Sequence, residues 1–76
     1  MDIQYFIERF AEAIEIEQVD ALSAKTVFHN LDAWNSLALL SVIAMLDETF
    51  GVQIEMKELE KLVTIQDIFD KARSLQ

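Results

Sequence analysis

Among the side chains that could carry chemistry, Ser36 holds the most informative position, directly after Asn35 and at the head of a long apolar run. Asn is a strong helix N-cap, which makes Ser36 the first helical residue, beside backbone N–H groups that no carbonyl of the helix can satisfy. Those donors and the positive end of the helix dipole favour a phosphate group at this point. An ordinary helix-start serine, its hydroxyl bonded locally, is the plain alternative from this residue alone. Other candidates are weaker. His29 is the sole histidine, beside Asn30 and near Asp32, with no partner at a spacing that suits a metal or a catalytic base. Asp47 with Glu48, and Glu55 with Glu58 and Glu60, lack the alternating oxygen ligands and central glycine of a calcium loop. Cysteine is absent, so disulfides and thiolate metal sites are excluded. No catalytic triad or metal cluster is visible.

The elements that must position Ser36 are helices. The chain has no proline and one glycine, too little punctuation for strands and tight turns. Ile3, Phe6, Ile7, Phe10, Ala11 and Ile14 recur at spacings of three and four, predicting a helix over 2–15 that Asp2 can cap. From Glu17 to Trp34 the rhythm lapses, yet Leu22, Val27, Phe28 and Leu31 remain apolar. That predicts a long first connection packed over the bundle, with one short helical turn. Trp34 is read as a staple holding this connection against the following helix.

Ser36 to Phe50 then reads as a strong helix closed by Gly51. Leu39, Val42, Ile43, Leu46 and Phe50 follow core spacing, while Leu37, Leu40 and Ala44 fall on another side. A helix apolar round most of its circumference is either buried on all sides or offers an adhesive face to a partner. Both readings of Leu40 and Ala44 stand at this stage. Met56 to Leu62 predicts a short third helix with Leu59 and Leu62 inward and Met45 and Met56 as core fillers. The last helix starts at Thr64, answered three residues on by Asp67 as in a capping box. Ile65, Ile68, Phe69, Ala72 and Leu75 supply its inner stripe. The expected fold is all-α, a four-helix bundle with a long first loop and a short third helix, residues 1–76 forming one domain.

Composition limits the partners. Six basic against fourteen acidic residues give a net charge of −8, a field that repels nucleic-acid backbones and favours partners with basic docking patches. The longest apolar stretch, Leu37 to Leu46, is too short to cross a bilayer, which needs about 20 residues. Met1, Asp2 and Ile3 do not resemble a targeting signal. A soluble, cytoplasmic monomer without a membrane role is the expectation.

Trp34, Asn35, Ser36 and Leu37, with Phe50, Gly51 and Val52 at the far end of the same helix, resemble the acyl carrier protein signature. In that family an Asp-Ser-Leu tripeptide opens the second helix and Phe-Gly-(Ile/Val) ends it. The resemblance covers nearly the whole chain, from the long first loop to the final Thr-Ile-Gln-Asp-Ile start at Thr64. It implies that a phosphopantetheinyl transferase moves a 4′-phosphopantetheine arm from coenzyme A onto Ser36. The arm's thiol then holds acyl groups as thioesters for fatty-acid, polyketide or another specialised biosynthesis. Acyl-transferring, ketosynthase or ligase-type enzymes are the implied further partners, and the carrier itself catalyses nothing. An aminoacyl or peptidyl carrier shares the same fold and arm, and an unmodified helical interaction module is the reading from a different class.

Two departures from the family pattern bear on function. Asn35 stands where the family usually has Asp, which keeps the cap but removes a carboxylate that helps engage the transferase. Positions 38 and 41, often acidic in the best-known fatty-acid carriers, are Ala38 and Ser41. Acidic residues return only at Asp47 and Glu48. Asn35, Leu37, Leu40, Ala44, Asp47 and Glu48 therefore form a predicted docking strip, apolar near Ser36 and acidic further down.

Overall fold

A computed structural model describes residues 2–76 and contains four helices among them: α1 (Ile3–Ala13), α2 (Ser36–Phe50), α3 (Met56–Lys61) and α4 (Ile65–Leu75). One isolated antiparallel bridge, Val27 to Thr64, is the only β pairing among the described residues. Each long helix has a local reason for its start. Asp2 accepts from the Tyr5 N–H at 3.3 Å, Asn35 from Ala38 at 2.8 Å, and Thr64 from Asp67 at 3.1 Å. At α4 the box is reciprocal: Asp67 Oδ2 accepts from the N–H groups of Thr64 and Val63 at 3.0 and 3.1 Å. Those two donors hold the Asp67 carboxyl below the usual carboxylate range, because they bind its ionised form.

Two helices, α1 and α2, end on left-handed residues. Gly51, at φ +66°, closes α2, its N–H bonded to the Asp47 carbonyl at 3.0 Å. At α1 the left-handed residue is Glu15, at φ +61°. Glu15 N–H reaches the Glu12 carbonyl and Ile16 N–H the Ala11 carbonyl, the paired bonds of a Schellman motif. The predicted helix over 2–15 is therefore shorter at its C-terminal end, since residues 14 and 15 form the cap.

Phe6, Phe10, Phe28, Val42, Leu46, Leu59, Ile65 and Ile68 are fully buried and fill the space between the helices. Some apolar positions differ from expectation. Met56 and Leu75 are exposed, Met56 at the first turn of α3 and Leu75 at the last turn of α4, where helix ends project past their neighbours. Ile43, Phe50 and Leu62 are half-buried at the margin of the core. Val52 and Ile54 are buried on an extended connection rather than a strand.

The long first connection contains two 3₁₀ turns, Val19–Ala21 and Phe28–Asn30, where one was expected. It is tied across the molecule to the start of α4. Ile65 N–H donates to the Thr26 carbonyl at 3.1 Å, Gln66 N–H to Ala24 at 2.9 Å, and Phe28 N–H to Val63 at 3.3 Å. These bonds satisfy backbone groups that a loose loop would leave to water. They also fix the run of chain that leads into α2. Lys71 and Glu58 pair at 3.1 Å and link α3 to α4; the lysine and the Glu55 N–H lower the Glu58 pKa.

Candidate functional site

The approach to Ser36 is built on aromatic packing. Trp34 N–H donates to the Leu31 carbonyl at 2.9 Å, closing a turn just before the helix. The indole packs at 4.8 Å from the Phe28 ring, at 6.2 Å from Phe10 and nearly parallel to it, and edge-on to His29 at 5.9 Å. Trp34 is thus the expected staple, but it fastens the loop to α1 through Phe10 and to the loop's own Phe28. His29 lies outside any metal cluster: its Nε2 is 2.9 Å from the Leu62 carbonyl. A carbonyl only accepts, so Nε2 is the donor in this bond. His29 therefore fastens the loop to the end of α3.

After this anchored segment Asn35 is extended, at φ −160°, and its side chain caps Ala38. Its carbonyl takes the first α2 bond, from Leu39 N–H at 3.0 Å. Ser36 follows as the first residue of α2 and is exposed. The N–H groups of Ser36 and Leu37 have no hydrogen-bond acceptor among the described residues. The first turn of α2 holds no acidic side chain. An accessible hydroxyl beside open backbone donors, without a neighbouring negative charge in that turn, fits a phosphodiester attached at the hydroxyl oxygen.

The docking residues singled out from sequence share one exposed face. Leu37 is 72% and Leu40 50% exposed, and Ala44, Asp47 and Glu48 are also exposed. Ala38, Leu39, Val42, Met45 and Leu46 occupy the opposite arc and are buried. Between the two readings of Leu40 and Ala44, the structure decides against core. From Ser36 to Leu46 the helix carries no acid. Asp47 lies about 16 Å along the axis from Ser36, at 1.5 Å per residue.

Two grooves flank the start of α2. One, of about 110 Å³, runs between the end of α1 and α2, bordered by Ile14, Glu15, Asn35, Leu37 and Ser41. The other, of about 360 Å³, is bordered by His29, Trp34, Asn35, Ser36, Leu39 and Glu60. Sequence reasoning did not place Leu39 or Glu60 at the site. Glu60 comes from α3, and no periodicity or spacing in the sequence connects it to Ser36. Among the described residues, no group of three or more His, Asp or Glu side chains is placed to hold a metal ion, and no helix is long and apolar enough to cross a membrane.

Comparison with known protein families matches residues 4–70 to the family described as phosphopantetheine attachment site. Searches of the curated proteins and of the solved structures returned no match. The family match spans α1 from its second residue, all of α2 and α3, and the first half of α4, the frame that positions the start of α2. Domains of this kind carry 4′-phosphopantetheine covalently, and so interact with a modifying transferase and with the biosynthetic enzymes served by the arm. The chain therefore belongs to the phosphopantetheine attachment-site family and is a phosphopantetheine carrier protein of the acyl carrier type.

Proposed function

We propose that residues 1–76 act as a single acyl carrier domain in which Ser36 bears the arm. The carrying observation is Ser36 itself, an exposed serine at the first turn of α2 next to two backbone donors that have no acceptor among the described residues. In the loading step a phosphopantetheinyl transferase brings coenzyme A to this serine. Ser36 Oγ attacks the phosphorus next to the pantetheine, loses its proton, and forms a phosphodiester, while adenosine 3′,5′-bisphosphate leaves. The Ser36 and Leu37 N–H groups and the α2 dipole then stabilise the anionic linkage. When bound, the arm supplies a terminal thiol that holds acyl groups as thioesters. The protein's own part is to present the serine, hold it rigidly and dock successive enzymes; it acts as a non-catalytic carrier, monomeric and cytoplasmic.

Docking is assigned to Asn35, Leu37, Leu40, Ala44, Asp47 and Glu48. Apolar side chains beside Ser36 and charges about 16 Å away, from the helical rise, ask for an enzyme with an apolar cleft at its active-site mouth and basic residues further out. Ketosynthase, acyl-transferring and ligase-type enzymes are the partner classes. The lack of acids at Ala38 and Ser41 favours a specialised biosynthetic pathway over general fatty-acid synthesis.

The test is mass spectrometry after incubation with coenzyme A and a broad-specificity transferase. One phosphopantetheinyl group should appear on the peptide containing Ser36 and be absent from Ser36→Ala. An unmodified chain, with Asn35→Asp also unmodified, would refute the carrier reading. An adduct on another residue would refute the assignment to Ser36.

A further inference from the structure

We propose that Asn35 is a site of deamidation, which turns the cap of α2 from an amide into a carboxylate at the residue before Ser36. The modification depends only on Asn35 and the head of α2; its effect on loading rests on Ser36 being the attachment residue.

The chain has two asparagines, Asn30 and Asn35, and both are exposed. An asparagine loses its side-chain amide when the backbone nitrogen of the next residue attacks its Cγ. That nitrogen must first give its proton to a base in solvent, so an N–H engaged in a hydrogen bond is a poor nucleophile. After Asn30 the next N–H is that of Leu31, which donates to the Phe28 carbonyl at 3.1 Å. After Asn35 it is that of Ser36, which has no acceptor among the described residues and carries a small side chain.

The head of α2 assists the attack in two ways. The positive end of the helix dipole stabilises the anion formed at the Ser36 nitrogen. The Ala38 N–H, 2.8 Å from Asn35 Oδ1, points at the oxygen on which negative charge builds as Cγ becomes tetrahedral. No acidic side chain in the first turn opposes either effect.

In the reaction a bond forms between Ser36 N and Asn35 Cγ, and the bond from Cγ to the side-chain nitrogen breaks. That nitrogen takes a proton from water and leaves as ammonia. Water then opens the cyclic imide at either carbonyl. Opening at Cγ gives an aspartate on the normal backbone, whose carboxylate keeps the cap. Opening at the backbone carbonyl gives isoaspartate, with one more methylene in the chain before Ser36. It displaces the carbonyl that takes the first α2 bond, from Leu39 N–H at 3.0 Å. A phosphodiester on Ser36 opposes an anion on the adjacent nitrogen, so the arm-bearing chain is protected.

Apo protein and protein loaded from coenzyme A are held in warm, mildly alkaline buffer. Peptide masses follow the conversion, and electron-transfer fragmentation tells aspartate from isoaspartate. Folded apo protein should convert at Asn35 while Asn30 stays intact. That preference should narrow in urea, which frees the Leu31 N–H. Loaded protein, and Ser36→Asp, should convert about two- to five-fold more slowly, from the added charge at the helix start. Of the separated products, the aspartate form should load like Asn35→Asp and the isoaspartate form should lose loading.

Conversion at Asn30 equal to or ahead of Asn35 in the folded apo chain overturns the site. So does an Asn35 that stays intact while the urea-unfolded chain converts there. Equal rates in apo, loaded and Ser36→Asp protein overturn the protection by charge. If Asn35 converts but no adduct forms at Ser36, the attachment reading fails and the deamidation site stands.

Discussion

Asn35→Asp separates what the α2 cap does for the fold from what it does for partners. Asn35 Oδ1 accepts from Ala38 N–H at 2.8 Å, and a carboxylate oxygen can make the same bond without moving the backbone. The first turn of α2 has no acid, so Asp adds the charge that complements the dipole. That is worth about 0.3–1 kcal/mol at an exposed helix start. For a chain of this length the melting temperature should rise by roughly 1–8 °C. In the loaded protein the phosphodiester already places negative charge at the same helix end, so the gain should shrink or vanish there. Loading should also quicken, because an exposed carboxylate beside Ser36 can pair with a basic transferase. At about 0.2–1 kcal/mol for an exposed ion pair, kcat/KM for arm transfer should rise about 1.4- to 5-fold. Asn35→Ala, which loses the cap, should cost about 0.5–2 kcal/mol. Urea melts of apo and loaded protein give the stability part; a discontinuous loading assay at two salt concentrations gives the rate. A stability gain as large in the loaded as in the apo form would refute the dipole argument. An unchanged loading rate would refute the role given to charge at position 35.

The docking face predicts that Leu40→Ala weakens binding to a partner enzyme while leaving the urea midpoint nearly unchanged, because Leu40 is half exposed and outside the core. Charge reversal at Asp47 and Glu48 should weaken binding most at low salt, measurable by titration calorimetry. Gly51→Ala should cost about 1 kcal/mol in a urea melt because φ there is +66°; no heavy atom lies within 4 Å of an added Cβ, so backbone conformation alone sets the penalty. The α4 cap should weaken in acid. Asp67 titrates lower in the folded chain than in the unfolded one, so its stabilisation is complete above the ordinary aspartate value of about 3.9 and is lost as pH falls through the folded value. Asp67→Asn should therefore flatten the stability profile below about pH 4, as followed by circular dichroism.

The limits of α2 and the start of α4 were legible in the sequence because capping is short-range chemistry. Asn35, Gly51 and the Thr64–Asp67 pair act on backbone groups within a few residues of themselves. The end of α1 was less legible. A glutamate at φ +61° carries no signal of its own, since its conformation is imposed by the bonds from Glu15 to Glu12 and from Ile16 to Ala11. The long first connection looked irregular for a related reason: its backbone partners are Val63 and the first residues of α4, remote in sequence.

By itself, then, the sequence determined that four helices form, where the second begins and ends, and that a serine heads it in a strongly acidic chain. Tertiary structure alone decided which arc of α2 is covered. Periodicity places Leu40 and Ala44 at an angle to Val42 and Leu46, but only the packing of the other elements says which side meets water. It also decided that Trp34 leans on Phe10, and that Leu39 and Glu60 meet Ser36 across one groove. Contacts between distant segments depend on how whole helices pack, and no local spacing encodes them.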